Sequence, residues 1–219
     1  MLAWVAIGAA AGALLLAGGW LLRRTDAIGR PRGFPVWSVA LLGLVAVTAT
    51  VPVVRAARLE HRLSAVASTL AGSPVTVDCQ SRGQEMTDLG HELGWVPYDE
   101  AGRPQPHTLI KRRPCSALRD YLGSGKDSPS REQVVAVHVL GHEARHMAGQ
   151  TVESEAECAA VQRDALTARL LGATPGQAAA LARAYWLEVY PQMPDAYWSA
   201  ECAPGMPLDE HLPDAPWAR

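Results

Sequence analysis

Two apolar blocks open the chain, and a short charged stretch separates them. Residues 2–22 carry no charged side chain, and at about 1.5 Å per helical residue that run is long enough to cross a hydrocarbon core of about 30 Å. A second charge-free run covers residues 36–54, with Pro52 near its end, where a membrane helix tolerates it. Arg23, Arg24, Asp26, Arg30 and Arg32 fill the loop 23–34 between them. A cleaved signal peptide places its basic flank before a shorter apolar run, whereas here the arginines follow it. The pattern predicts a hairpin of two membrane-spanning helices over residues 1–54.

Beyond residue 54 the pattern changes to that of a water-soluble fold. Leu59, Leu63, Val66 and Leu70 recur at helical spacing and the run stops at Gly72-Ser73-Pro74, which predicts a juxtamembrane helical stalk over 55–72. Val75-Thr76-Val77 alternates as a strand does. The segments Trp95–Tyr98 and His107–Lys111 flank the turn-rich Asp99–Pro104 and predict a hairpin, with His107–Lys111 as an edge strand. A short helix is expected over Cys115–Leu122, and Pro129 opens another that reaches His146 with Val134, Val135, Val137 and Leu140 on its apolar face. Gly149 interrupts. Further helices are expected over Glu153–Leu171 and from Thr174-Pro175 to Tyr190, followed by an irregular tail. The expected fold class is a mainly α, α+β domain over 73–219, placed after two transmembrane helices.

Composition narrows the classes. With 219 residues, 48% of them hydrophobic, the chain is not a disordered one. A net charge of −2 offers no strong positive field, so nucleic acid is not an expected partner. The four cysteines, Cys79, Cys115, Cys158 and Cys202, all follow the second apolar run and show no C-x-x-C spacing, which reads as two disulfides in an oxidising space. The arginines of the 23–34 loop favour a cytoplasmic loop, and although Arg55, Arg58 and Arg62 pull the other way, the cysteines favour an extracytoplasmic domain. The expectation is therefore a multi-pass protein of a bacterial cell membrane, in contact with lipid. Of the three possible pairings, Cys79–Cys115 and Cys158–Cys202 are favoured, and spacing alone leaves the others open.

One motif carries chemistry. His142-Glu143-Ala144-Arg145-His146 is H-E-x-x-H within an expected helix. Its i, i+4 spacing puts both imidazoles on one face, able to grip one Zn²⁺, and Glu143 between them can take a proton from an activated water. A third protein ligand is needed, and Glu153 returns after the break at Gly149. Tyr197 could supply a hydrogen bond to a tetrahedral intermediate or simply pack as an aromatic. His91-Glu92 has no second histidine one turn on and reads as surface. Tyr185, Trp186 and Tyr190 read as core.

These residues resemble the zincin metallopeptidases with a glutamate third ligand. Glu153-Ser154-Glu155-Ala156-Glu157 is similar to the E-x-x-A-[DE] segment of integral-membrane zinc proteases. That resemblance implies a minimal zincin-like fold, Glu153 as ligand and Glu157 as the group that orients a zinc-bound histidine from behind. It spans about Val134–Gln162, and the gap from His146 to Glu153 is shorter than in those proteases. Arg145 stands where active zincins carry an uncharged residue. The run is also similar to that of membrane-anchored actinobacterial proteins, which bring no substrate with them. The implied function is a membrane-anchored zinc metallopeptidase acting on a peptide or protein substrate, with Glu143 as general base. The alternative is a non-catalytic extracytoplasmic binding or sensing domain with a structural or vestigial zinc site.

Overall fold

The computed structural model describes residues 2–217. The chain divides into two compact units, Met1–Arg58 and Leu59–Arg219. Within the first, α1 (Leu2–Leu22) and the leading part of α2 (Val36–Ala71) are long and apolar enough to cross a membrane. Both expose large apolar side chains, Trp4, Leu15, Leu22 and Trp37 among them. Water would penalise such a surface, whereas lipid would not. The connecting loop is ordered by its own polar groups: Asp26 Oδ1 accepts from the Ile28 and Arg30 amides, and Trp20 Nε1 donates to Arg32 O at 2.8 Å.

The second unit is mostly helical with a small sheet. After the last part of α2 come β1 (Thr76–Cys79), the single turn α3 (Arg82–Glu85), β2 (Gly94–Trp95), β3 (His107–Ile110), α4 (Arg112–Gly123), α5 (Arg131–Met147), α6 (Glu153–Val161), α7 (Asp164–Leu170) and α8 (Pro175–Ala184). Helix α8 runs into a π-helical turn, Tyr185–Val189, and a 3₁₀ turn, Tyr190–Gln192. Residues read as a stalk are the end of α2, and from Leu59 onward they enter the core: Leu59, Leu63, Val66 and Leu70 pack with Val77, Ile110, Leu118 and Leu140.

The sheet order is β1-β3-β2, with β1 parallel and β2 antiparallel to β3. The hairpin between β2 and β3 has the expected antiparallel sense, and Tyr98 pairs with Pro104 beyond it. The edge assignment is corrected, because β3 has a partner on each side and β2 holds the outer position. The pairing with β1 is what centres it, a contact between segments too far apart in sequence for local alternation to announce.

Helix α5 is the structural axis of the site. Ser130 caps it reciprocally with Gln133, satisfying the first amides. It packs against α4, α6 and α7 and is buried along most of its length. The expected single helix from Glu153 to Leu171 is broken into α6 and α7 at Gln162–Arg163. Gln162 is fully buried, donating to Leu208 O and accepting from the Glu210 amide, and Arg163 grips both oxygens of Glu210 at 2.7 and 2.6 Å. The tail, irregular as expected, is pinned at this break. Disulfides join Cys79 to Cys115 and Cys158 to Cys202, the favoured pairing.

Candidate metal centre

Three residues converge on one point of a cleft of about 350 Å³. His142 and His146 lie one turn apart on α5, with their Nε2 atoms 2.9 Å from each other. After α5, Gly149 adopts φ +107°, a left-handed conformation that reverses the chain at little cost only for glycine. Glu153 then opens α6, and its Oε2 lies 3.2 Å from His142 Nε2 and 3.3 Å from His146 Nε2. Ligands held tetrahedrally at metal–nitrogen distances of about 2.0–2.1 Å are spaced by about 3.3 Å, which the two edges to Glu153 match while the edge between the imidazoles is shorter.

The group could hold a metal ion, and its neighbours indicate which nitrogens would face it. His146 Nδ1 lies 2.7 Å from Gln150 O, an acceptor only, so Nδ1 carries the hydrogen and Nε2 keeps its lone pair. On His142, Glu157 Oε2 sits 3.0 Å from Nδ1, the one acceptor near a buried nitrogen that has no aligned hydrogen bond. With their hydrogens on Nδ1, both imidazoles would turn Nε2 lone pairs toward the Glu153 carboxylate oxygen, the arrangement a metal ion requires. Burial would lower the His142 pKa, but the Glu153 and Glu157 carboxylates outweigh it and raise it to about 9. In the metal-free chain, where His142 and His146 carry hydrogens toward it, Glu153 is held down at about 2. In both cases the protein has gathered charge that a metal ion can neutralise.

Glu143 is buried beside the trio, and burial raises its pKa against the pull of His142 and His146. Its Oε2 is 3.2 Å from Thr108 Oγ1 on β3, whose single hydrogen is shared with Trp95 O at 3.0 Å. Its other oxygen lies against Gly94 of β2. A Cβ at Gly94 would come within 2.7 Å of Glu143 Oε1, so this glycine makes room for the carboxyl.

The remaining residues named from sequence fall as follows. Tyr197 is half-buried in the cleft wall with its ring 5.8 Å from that of His142, and burial followed by the Glu153 and Glu143 charges raises its pKa. The segment that carries it is anchored where the Ser199 amide donates to Tyr190 Oη at 3.0 Å. His91 and Glu92 are exposed at the cleft mouth. Glu155 is exposed and outside the cluster. Arg145 turns away from the cleft: its Nε donates to Gln150 Oε1 and its Nη1 to Leu70 O at 2.9 Å, so its charge does not enter the site.

Sequence reasoning missed His138, Asp164 and the polar role of Tyr185. His138 lies one turn before His142, the first of three histidines at i, i+4 and i+8, a spacing visible in the sequence. It is buried with Nε2 3.0 Å from Glu157 Oε2 and Nδ1 3.1 Å from both oxygens of Asp164. Burial works against its charge, yet the two carboxylates prevail and lift its pKa to about 10. Tyr185 stacks on it at 3.7 Å and donates its hydroxyl to Glu157 Oε1 at 2.6 Å. His138, His142 and Glu157 form a second metal-compatible trio, but their charges are already paired with one another and with Asp164. The open trio is His142, His146 and Glu153. Compared with protein-family models, with curated proteins and with solved structures, the chain finds no match, so the site rests on its own geometry.

Proposed function

We propose that this chain is a membrane-anchored zinc metallopeptidase of minimal zincin type, with Zn²⁺ held by His142, His146 and Glu153. The observation that carries the reading is the convergence of two histidine Nε2 atoms and one carboxylate oxygen within 2.9–3.3 Å, beside a buried Glu143 in an open cleft. A zinc ion so held supplies an acidified water and polarises a carbonyl oxygen. The chain's own residues do the rest. Glu143 takes the proton at its carboxylate and passes it to the leaving amine, helped by a pKa that burial has raised toward the working range. Tyr197 donates a hydrogen bond to the carbonyl oxygen as charge gathers there. The outer edge of β2, at Gly94–Trp95, offers main-chain groups to an extended peptide.

Residues 2–22 and 36–54 are the spanning segments in this reading, with loop 23–34 cytoplasmic and the domain beyond extracytoplasmic. Two disulfides in the second unit support an oxidising location. The test is a peptide-library cleavage assay on the full-length, zinc-loaded chain in detergent. Cleavage that stops in Glu143→Gln while zinc is retained supports the peptidase. Zinc binding with no cleavage of any peptide favours the non-catalytic binding domain instead.

A further inference from the structure

Behind the metal-facing trio lies a fully buried layer that the hydrolytic reading does not use. Glu157 has two oxygens, two hydrogen-bond partners in Tyr185 and His138, and one close but unaligned imidazole nitrogen. Oε1 accepts from Tyr185 Oη at 2.6 Å, and Oε2 lies 3.0 Å from both His138 Nε2 and His142 Nδ1. His138 cannot turn: Asp164 holds its other nitrogen at 3.1 Å, and the Tyr185 ring covers its face in a stack tilted by 10°. Tyr185 itself stands at the start of the π-helical turn, a local widening of the helix of a kind that recurs at functional sites.

We propose that His138, Asp164 and Tyr185 are positioning residues that fix the Glu157 carboxylate against His142 Nδ1, and thereby the tautomer in which His142 presents its Nε2 lone pair to the metal. A neutral imidazole carries one hydrogen. Among the described residues, Glu157 is the acceptor within reach of His142 Nδ1, a nitrogen with no solvent exposure. Were Glu157 to rotate away, an Nδ1 hydrogen would be buried without a partner, at a cost that favours moving it to Nε2. That hydrogen would occupy the lone pair facing His146 and Glu153. The three positioning residues stop the rotation from the far side: Tyr185 holds one oxygen, His138 holds the other, and Asp164 holds His138.

This inference rests on the metal-binding reading and not on hydrolysis. Its test is the zinc dissociation constant of the full-length chain in detergent, measured by competition with a chromophoric chelator, for wild type, Tyr185→Phe, Asp164→Asn and His138→Gln. Cobalt-substituted visible spectra and metal-free melting temperatures accompany each. Loss of such an outer partner weakens metal binding by about 10–100-fold. Tyr185→Phe, which keeps the ring stack and removes one hydrogen bond, is expected near the lower end with a shifted cobalt spectrum, even if His138→Gln fails to fold. A merely structural network would lower metal-free melting temperatures and leave the zinc constant and cobalt spectrum of Tyr185→Phe and Asp164→Asn as in wild type, which would overturn the proposal. A wild-type chain that takes up no zinc would overturn the metal centre and this network together.

Discussion

Single atoms decide what this cleft can do. Glu143 is not within the ligand trio, so Glu143→Gln is expected to retain zinc and to lose hydrolysis by about 10²–10⁴-fold, the usual worth of a general base. Gly94→Ala should behave similarly but more mildly, because the new methyl meets Glu143 Oε1 at 2.7 Å and displaces it without touching a ligand. Measured zinc loss in Gly94→Ala would contradict that division of roles. Glu153→Gln should weaken zinc binding, whereas exposed Glu155→Gln should not; the reverse would shift the ligand register by two residues. The metal-free chain has a pH signature of its own. His138 and His142 are raised to about 10 and about 9, above their ordinary 6.5, so their contribution is complete below about pH 6.5 and is lost as pH rises through those values. Glu153, held at about 2, contributes above its ordinary 4.5 and loses that contribution toward pH 2. Asp164, raised to about 6 by burial, has already lost its contribution by about pH 6.5, so metal-free melting temperature is expected to fall as pH rises from there toward 10, and a rise across pH 6.5–9 would contradict the assignment.

At the scale of elements, the sequence was most informative where a signal was local. The H-E-x-x-H helix and the glycine reversal before Glu153 are contiguous patterns, and each stands where it was expected, although the helix opens at Arg131 behind a Ser130 cap rather than at Pro129. Signals that depend on distant partners were not legible. Gln162 and Arg163 are ordinary helix residues, and only the tail at Leu208 and Glu210 and the burial of Asp164 against His138 make them a break. The centring of β3 likewise depends on a parallel partner whose four residues carry no sign of it. His138 was visible as a third histidine at helical spacing, but its role required Asp164, which belongs to another helix. The turn at Gly149 sets where Glu153 falls. Gly149→Ala forces a side chain to φ +107°, costing about 1–3 kcal/mol, and is expected to weaken zinc binding by displacing Glu153. Equal zinc affinity in that variant, measured by chelator competition, would separate Glu153 from the site.

Across the whole molecule, two units of different solvent preference share one chain: apolar helices with exposed tryptophans and leucines, and a disulfide-bonded domain that holds the cleft. Opening Cys158–Cys202 should destabilise the domain by about 2–4 kcal/mol, because the bridge ties α6 to the tail after Tyr197. Melting of a Cys158→Ser/Cys202→Ser double variant beside the wild type measures it. Thiol labelling of intact cells tests the compartment: cysteines that react only after reduction fit an extracytoplasmic domain, and cysteines that react after permeabilisation without reductant place it in the cytosol. The expectations for zinc affinity and for hydrolysis all depend on a metal being held by His142, His146 and Glu153. The most direct measurement is the zinc content of the full-length chain purified in detergent, wild type beside His146→Ala. About one zinc per chain in the wild type and almost none in the variant is the predicted result. A wild type without metal, or a variant that keeps it, would contradict the account.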